Sequence, residues 1–253
     1  MLKNTPMPFD VYCQTYEHEQ YLSLDYLVSP DVHWNVPSLL CRKVNDKGAF
    51  IPYFGDTVTI PIDAGEIAFF SGLQSKLHHN LGDILAEPLQ AKHFHVTLHD
   101  LTSSASEDDP RREFEKNRAS CREIFREITS HLSLNPECLK VKLKATRIYP
   151  CCNISLVLAL MPERERDYRI MMNLYNLFDD VVYLDYWLRL HVTLAYFRPV
   201  ELSREQIAHL AATLSEMDEL DCSISLDTLK VAYQSFTSMN EYRTHISVSD
   251  FRW

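Results

Sequence analysis

His95-Val96-Thr97-Leu98 and His191-Val192-Thr193-Leu194 repeat one tetrapeptide. Each copy lies in a short stretch where polar and apolar residues alternate, a period of two that predicts a β-strand. The His and the Thr two residues later must therefore project from the same face. Two strands that each offer an imidazole and a hydroxyl can set these groups against one another across a cleft. Such a pair suits acid–base opening or formation of a phosphodiester. One imidazole takes a proton from the attacking oxygen while the other gives one to the leaving oxygen, and histidine, with an unperturbed pKa of ~6.5, holds either state at neutral pH. The threonine hydroxyls can donate to the non-bridging phosphate oxygens, whose charge must be held in the transition state. This chemistry calls for neither a metal nor an organic cofactor.

Parity along the two strands sorts the neighbours. His93, His95, Thr97 and His99 are expected on one face of the first, with Phe94, Val96 and Leu98 on the core face. On the second, Arg189, His191, Thr193, Ala195 and Phe197 oppose Leu190, Val192, Leu194 and Tyr196. Arg189, on the His191 face, is the candidate for a further phosphate contact. Tyr233, near the end of a late strand, is the candidate for stacking a base, with Tyr53 and Phe54 also aromatic and worth weighing. The same parity admits a rival: His93, His95 and His99, completed by Asp100 or His191, resemble a ligand set for Zn, Fe or Mn in a metal-dependent hydrolase or oxygenase. That reading leaves the second tetrapeptide, and above all its threonine, without a role. A further alternative is an inactive module that binds a cyclic nucleotide or RNA end in the same cleft.

These residues need a scaffold, and the pattern around them supplies one. A strand is expected over 57–62, then a helix with Ile67, Phe70, Leu73, Leu77, Leu81 and Ile84 on one side, then the first motif strand over 93–101. The Ser/Asp-rich stretch 102–110 reads as a loop. A charged helix with Phe114, Cys121, Phe125, Ile128 and Leu132 on its apolar side follows, then strands over 139–148 and 153–160 broken at Pro150-Cys151-Cys152. Tyr168, Met171, Tyr175 and Phe178 predict another helix, and 187–197 is the second motif strand. Ser203 and Gln206 form a capping box for the next helix, and two strands, about 223–232 and 244–250, close the chain. The order is α+β with an approximate internal duplication centred on the two motifs.

Composition narrows the function. The 253 residues are 46% hydrophobic, enough for a sizeable core, and the net charge of −10 disfavours a track for long nucleic acid. Seven scattered cysteines with no C-x-x-C pair argue for reduced thiols and a cytoplasmic protein rather than a disulfide framework. No stretch approaches the ~18 apolar residues of a membrane span, and the polar start lacks the apolar run of a signal peptide. Five glycines, none in a phosphate-loop arrangement, disfavour glycine-loop nucleotide folds. The expected partner is a small nucleotide or RNA-terminal phosphodiester, bound by a monomer.

The two His-Val-Thr-Leu segments and the strand–helix order around them, over roughly residues 50–253, resemble the 2H phosphoesterase superfamily, the LigT-like group. The resemblance implies two pseudo-symmetric lobes with antiparallel sheets forming a V-shaped central cleft, helices on the outside, and one motif from each lobe facing the other. It implies that His95 and His191 are the acid–base pair and that Thr97 and Thr193 hold the phosphate. Substrates of that family include 2′,3′-cyclic phosphates, 2′–5′ linkages, cyclic nucleotides and RNA ends. The chain departs from the RNA-processing branch, which often carries an arginine shortly after the second motif; Ala195-Tyr196-Phe197 stands there instead. Residues 1–50 lie outside the minimal family fold and are expected to pack on the main domain of residues 50–253 as an extension.

Overall fold

The computed structural model describes residues 7–105, 109–218, 220 and 222–251. In chain order these form α1 (Phe9–Val28), α2 (Ser38–Cys41), β1 (Gly55–Pro61), α3 (Ile67–Leu81), β2 (His95–Ser103), α4 (Phe114–Leu134), β3 (Lys140–Cys151) and β4 (Ser155–Pro162). There follow α5 (Glu165–Leu177), β5 (His191–Tyr196), α6 (Arg204–Glu216), β6 (Ser223–Asp227), β7 (Ala232–Ser238) and β8 (Glu241–Ser247). All strand pairings are antiparallel, in the order β6-β3-β4-β5-β2-β1-β7-β8. The two expected sheets are therefore four-stranded halves of one sheet. They meet at the β5–β2 seam, where a single residue pair, Val96 with Val192, is in register.

Helices cover the halves through apolar stripes read from the sequence. Phe70, Leu73, Leu77 and Leu81 of α3 are buried, as are Cys121, Phe125, Ile128 and Leu132 of α4. Each large side chain so buried contributes about 1.5–3 kcal/mol, and emptying the Phe125 site by Phe→Ala is expected to cost about 3–5 kcal/mol. The Ser203–Gln206 capping box starts α6 by satisfying backbone N–H groups that the first turn leaves without partners. Among the described residues no helix is long and apolar enough to cross a membrane.

The end of the chain differs from expectation. A 3₁₀ turn at Thr228–Lys230, capped by the Asp227 side chain accepting from the Leu229 N–H, divides the strand expected over 223–232. β6 pairs with β3 in one half and β7 with β1 in the other, so the chain passes between the halves at this turn and three late strands replace two. Pro150 and Cys151 are likewise inside β3 rather than in the break, which falls at Cys152 and Asn153, both in the left-handed region (φ 52° and 55°).

Within the N-terminal segment, α1 lies against β3 and α6. Tyr12 and Tyr16 are its buried anchors, both edge-on to the Trp187 ring, and the Tyr16 hydroxyl donates to the Leu190 carbonyl at 2.8 Å. This segment thus grips the backbone immediately before His191.

Candidate active site

Antiparallel register about Val96–Val192 sets His95 beside Thr193 and Thr97 beside His191. The two valines are fully buried on the core face, so alternation turns both imidazoles and both hydroxyls to the opposite face. There His95, Thr97, His191 and Thr193 all line one cavity of about 340 Å³. The histidines are diagonal neighbours across the seam, a relation that puts their backbones about 7–8 Å apart. Both rings are partly exposed, neither turned to the outer surface nor sealed under aliphatic side chains.

The two rings are held in the same way. His95 Nδ1 lies 2.6 Å from the His93 carbonyl and His191 Nδ1 2.8 Å from the Arg189 carbonyl, each two residues back along its own strand. A carbonyl only accepts, so in both rings Nδ1 carries the hydrogen and the neutral form presents Nε2 as its basic atom. Burial pushes both pKa values down, that of His95 to about 4, with the charge of His191 a further depressing influence on His95 and the Asp100 carboxylate pulling both back up. Tyr242 of β8 flanks the site, its ring centroid 5.0 Å from that of His95.

Each motif also holds a break in strand register. Thr97 and His99 pair with Thr59 and Val58, leaving Leu98 as an extra residue; Thr193 and Ala195 pair with Val157 and Leu156, leaving Leu194. The last residue of the tetrapeptide is thus a β-bulge in both copies, and a bulge reverses the parity that follows it. Residue 99 still borders the cavity, but its side chain is fully buried and turned away from those of His93 and His95. His99 is buried, its Nδ1 2.7 Å from the Asp100 carbonyl and its Nε2 3.3 Å from Asp179 Oδ1, whereas Asp100 takes the cavity face and accepts from the Tyr186 hydroxyl at 2.7 Å. Among the described residues no group of three His, Cys, Asp or Glu side chains is placed to hold a metal ion, so the proposed His93/His95/His99 set is not assembled. On β5 the same reversal brings Tyr196, which parity assigns to the core face, onto the cavity wall.

The two substrate-binding candidates fare differently. Arg189 lines the cavity, but its guanidinium is bound in bidentate fashion by Glu19 of α1 (2.6 and 2.9 Å) and stacks on Trp187. Tyr233 does not reach the cavity. It is 1% exposed and its hydroxyl is shared between Asp56 Oδ2 (2.8 Å) and the Phe114 carbonyl (2.9 Å), because β7 is an inner strand whose side chains on this face meet α4. The cavity's aromatic surface comes from Tyr175, Tyr186, Trp187, Tyr196, Phe236 and Tyr242 instead, and its second cation from Lys43. Sequence reasoning weighed Asp100 only as a metal ligand, not as part of the metal-free site, and missed Lys43 and Tyr242. Asp100 was within reach of it, being three residues past Thr97, as Tyr196 is past Thr193; the other two arrive by long-range packing.

Comparison with known proteins adds the fold. No family model matches the chain, and no curated protein does. Among solved structures, a conserved protein of unknown function from Agrobacterium tumefaciens, ATU0111, superposes over 89% of this chain and 98% of its own with a TM-score of 0.63 at 18% identity. The chain shares the fold of that protein, and in this chain one His-x-Thr motif lies on the inner strand of each half of the sheet. Also found are Escherichia coli LigT (13% identity, 78% of this chain and 97% of that one, TM-score 0.43) and Kluyveromyces marxianus Usb1 solved with uridine monophosphate (12%, 79% and 98%, 0.41).

Proposed function

We propose that this protein is a metal-independent phosphodiesterase that uses His95 and His191 as general base and general acid on a nucleotide or RNA-end phosphodiester such as a 2′,3′-cyclic phosphate. The matched restraint of the two rings carries this reading: each gives its Nδ1 hydrogen to the carbonyl two residues back, and each keeps Nε2 for proton transfer. We take His95, whose pKa is lowered by burial and by the charge of His191, as the base and His191 as the acid. In hydrolysis of a cyclic phosphate, His95 Nε2 removes a proton from the attacking water as its oxygen bonds to phosphorus. His191 Nε2–H protonates the ribose oxygen whose bond to phosphorus breaks, and the Thr97 and Thr193 hydroxyls donate to the two non-bridging oxygens.

The test is a panel of 2′,3′-cyclic nucleotides, 2′–5′ dinucleotides and cyclic dinucleotides with the wild type, His95→Ala and His191→Ala. General acid and base roles are each worth about 10²–10⁴ in rate, so both variants should lose at least a hundredfold in kcat on the same substrate. Turnover by the wild type should survive exhaustive EDTA treatment. Full activity in either variant, or its abolition by the chelator, refutes the two-histidine mechanism.

A further inference from the structure

Lys43 is the one Lys or Arg of the cavity wall that is not already ion-paired among the described residues. It reaches the cavity from the N-terminal segment, where its N–H donates to the Leu40 carbonyl and its own carbonyl accepts from the Ile51 N–H. The turn that follows, with Gly48 at φ 84° and the Asn45 side chain accepting from the N–H groups of Lys47 and Ala49, brings the chain back so that Val44 and Phe50 form a bridge. The Lys43 ammonium stands 5.0 Å from the ring centroid of Tyr53 and 5.5 Å from that of Tyr196. Burial pushes its pKa down, opposed by the charges of Asp100 and Cys151. A half-buried ammonium without a bonded counter-ion is costly to maintain, and a substrate anion would relieve that cost.

Position separates this cation from the histidine pair. Lys43 rests against the rings of Tyr53 and Tyr196, whereas the ring beside His95 is that of Tyr242. Tyr196, against which Lys43 rests, is three residues past Thr193, about 10 Å along the strand, the scale that separates two phosphate groups on one nucleotide.

We propose that the Lys43 end of the cavity is a second anion subsite, which takes a phosphate group of the substrate other than the one seated between His95 and His191. The proposal rests on the phosphodiester reading of the histidine pair and narrows its substrates to nucleotides carrying a second phosphate, such as a 5′-phosphorylated 2′,3′-cyclic nucleotide. Calorimetric binding of adenosine 3′,5′-bisphosphate and adenosine 3′-monophosphate, to the wild type and to Lys43→Met, tests it without turnover. A charge-assisted hydrogen bond of this kind is worth about ten- to a hundredfold in affinity. The wild type should prefer the bisphosphate by that factor. Lys43→Met should erase the preference and leave the monophosphate affinity within about twofold, while Lys43→Arg should keep most of it. Equal affinity of the wild type for the two ligands overturns the proposal, and needs no variant to be seen. So does a variant that weakens both ligands by one factor, since Lys43 would then hold the phosphate at the histidines. If the bisphosphate pattern holds but no cyclic phosphate is cleaved, the subsite stands and the catalytic reading falls.

Discussion

In the free protein both imidazoles should be neutral at pH 7, and a bound phosphodiester anion should raise both pKa values, charging His191 as the acid and bringing the His95 base closer to neutral pH. Burial holds His95 at about 4, so bringing it to half-protonation at neutral pH requires a rise of about three units, about 4 kcal/mol at ~1.36 kcal/mol per unit. A phosphodiester anion supplies energy on that scale: a unit charge at about 4 Å and an effective dielectric of ~20 contributes about 4 kcal/mol. His191, depressed by the same burial, should respond in the same sense. The assay is a pH titration of ¹⁵N-histidine-labelled protein by NMR, alone and saturated with adenosine 3′-monophosphate. Without ligand, His95 should show the Nδ1–H tautomer and stay neutral down to pH 5; with ligand, its midpoint should rise by at least two units. A His95 that titrates near 6.5 in the free protein, carries its hydrogen on Nε2, or ignores the ligand refutes this account of how the pair is set.

Two further outcomes concern stability. The unfolded chain protonates His95 near 6.5 and the folded one only near 4, so the unfolded state binds more protons in that window and stability falls as pH is lowered through it. The loss should approach about 3 kcal/mol, less where solvent reaches the ring, and urea melts at pH 7 and pH 4.5 should show a smaller difference for His95→Gln than for the wild type. At Gly55 an added Cβ would lie 2.2 Å from the Phe236 ring and 2.7 Å from the Thr102 carbonyl. Gly55→Ala should therefore lower stability by about 1–3 kcal/mol, read as a fall in Tm, and an unchanged Tm would mean that β1 and β7 separate more easily than their packing indicates.

Local alternation in the sequence was enough to place His95, Thr97, His191 and Thr193 on common strand faces, and helical spacing was enough to lay down the buried sides of α3 and α4, because both periodicities are properties of a single element. The Ser203–Gln206 box is equally local. What only the tertiary structure decided lies where one element meets another. A bulge exists by reference to a partner strand, so the reversal after Leu98 and Leu194, which sends His99 to Asp179 and turns Asp100 and Tyr196 into the cavity, could not be read from either motif strand alone. Tyr233 looks like any strand tyrosine until β7 takes an inner position and Asp56 claims its hydroxyl. Arg189 shares the His191 face as parity requires, yet Glu19, distant in sequence, fixes where its charge goes. Lys43 enters the cavity because the N-terminal segment folds back along Tyr53 and Tyr196, a placement set by burial and long-range contact rather than by any periodicity in the residues around it.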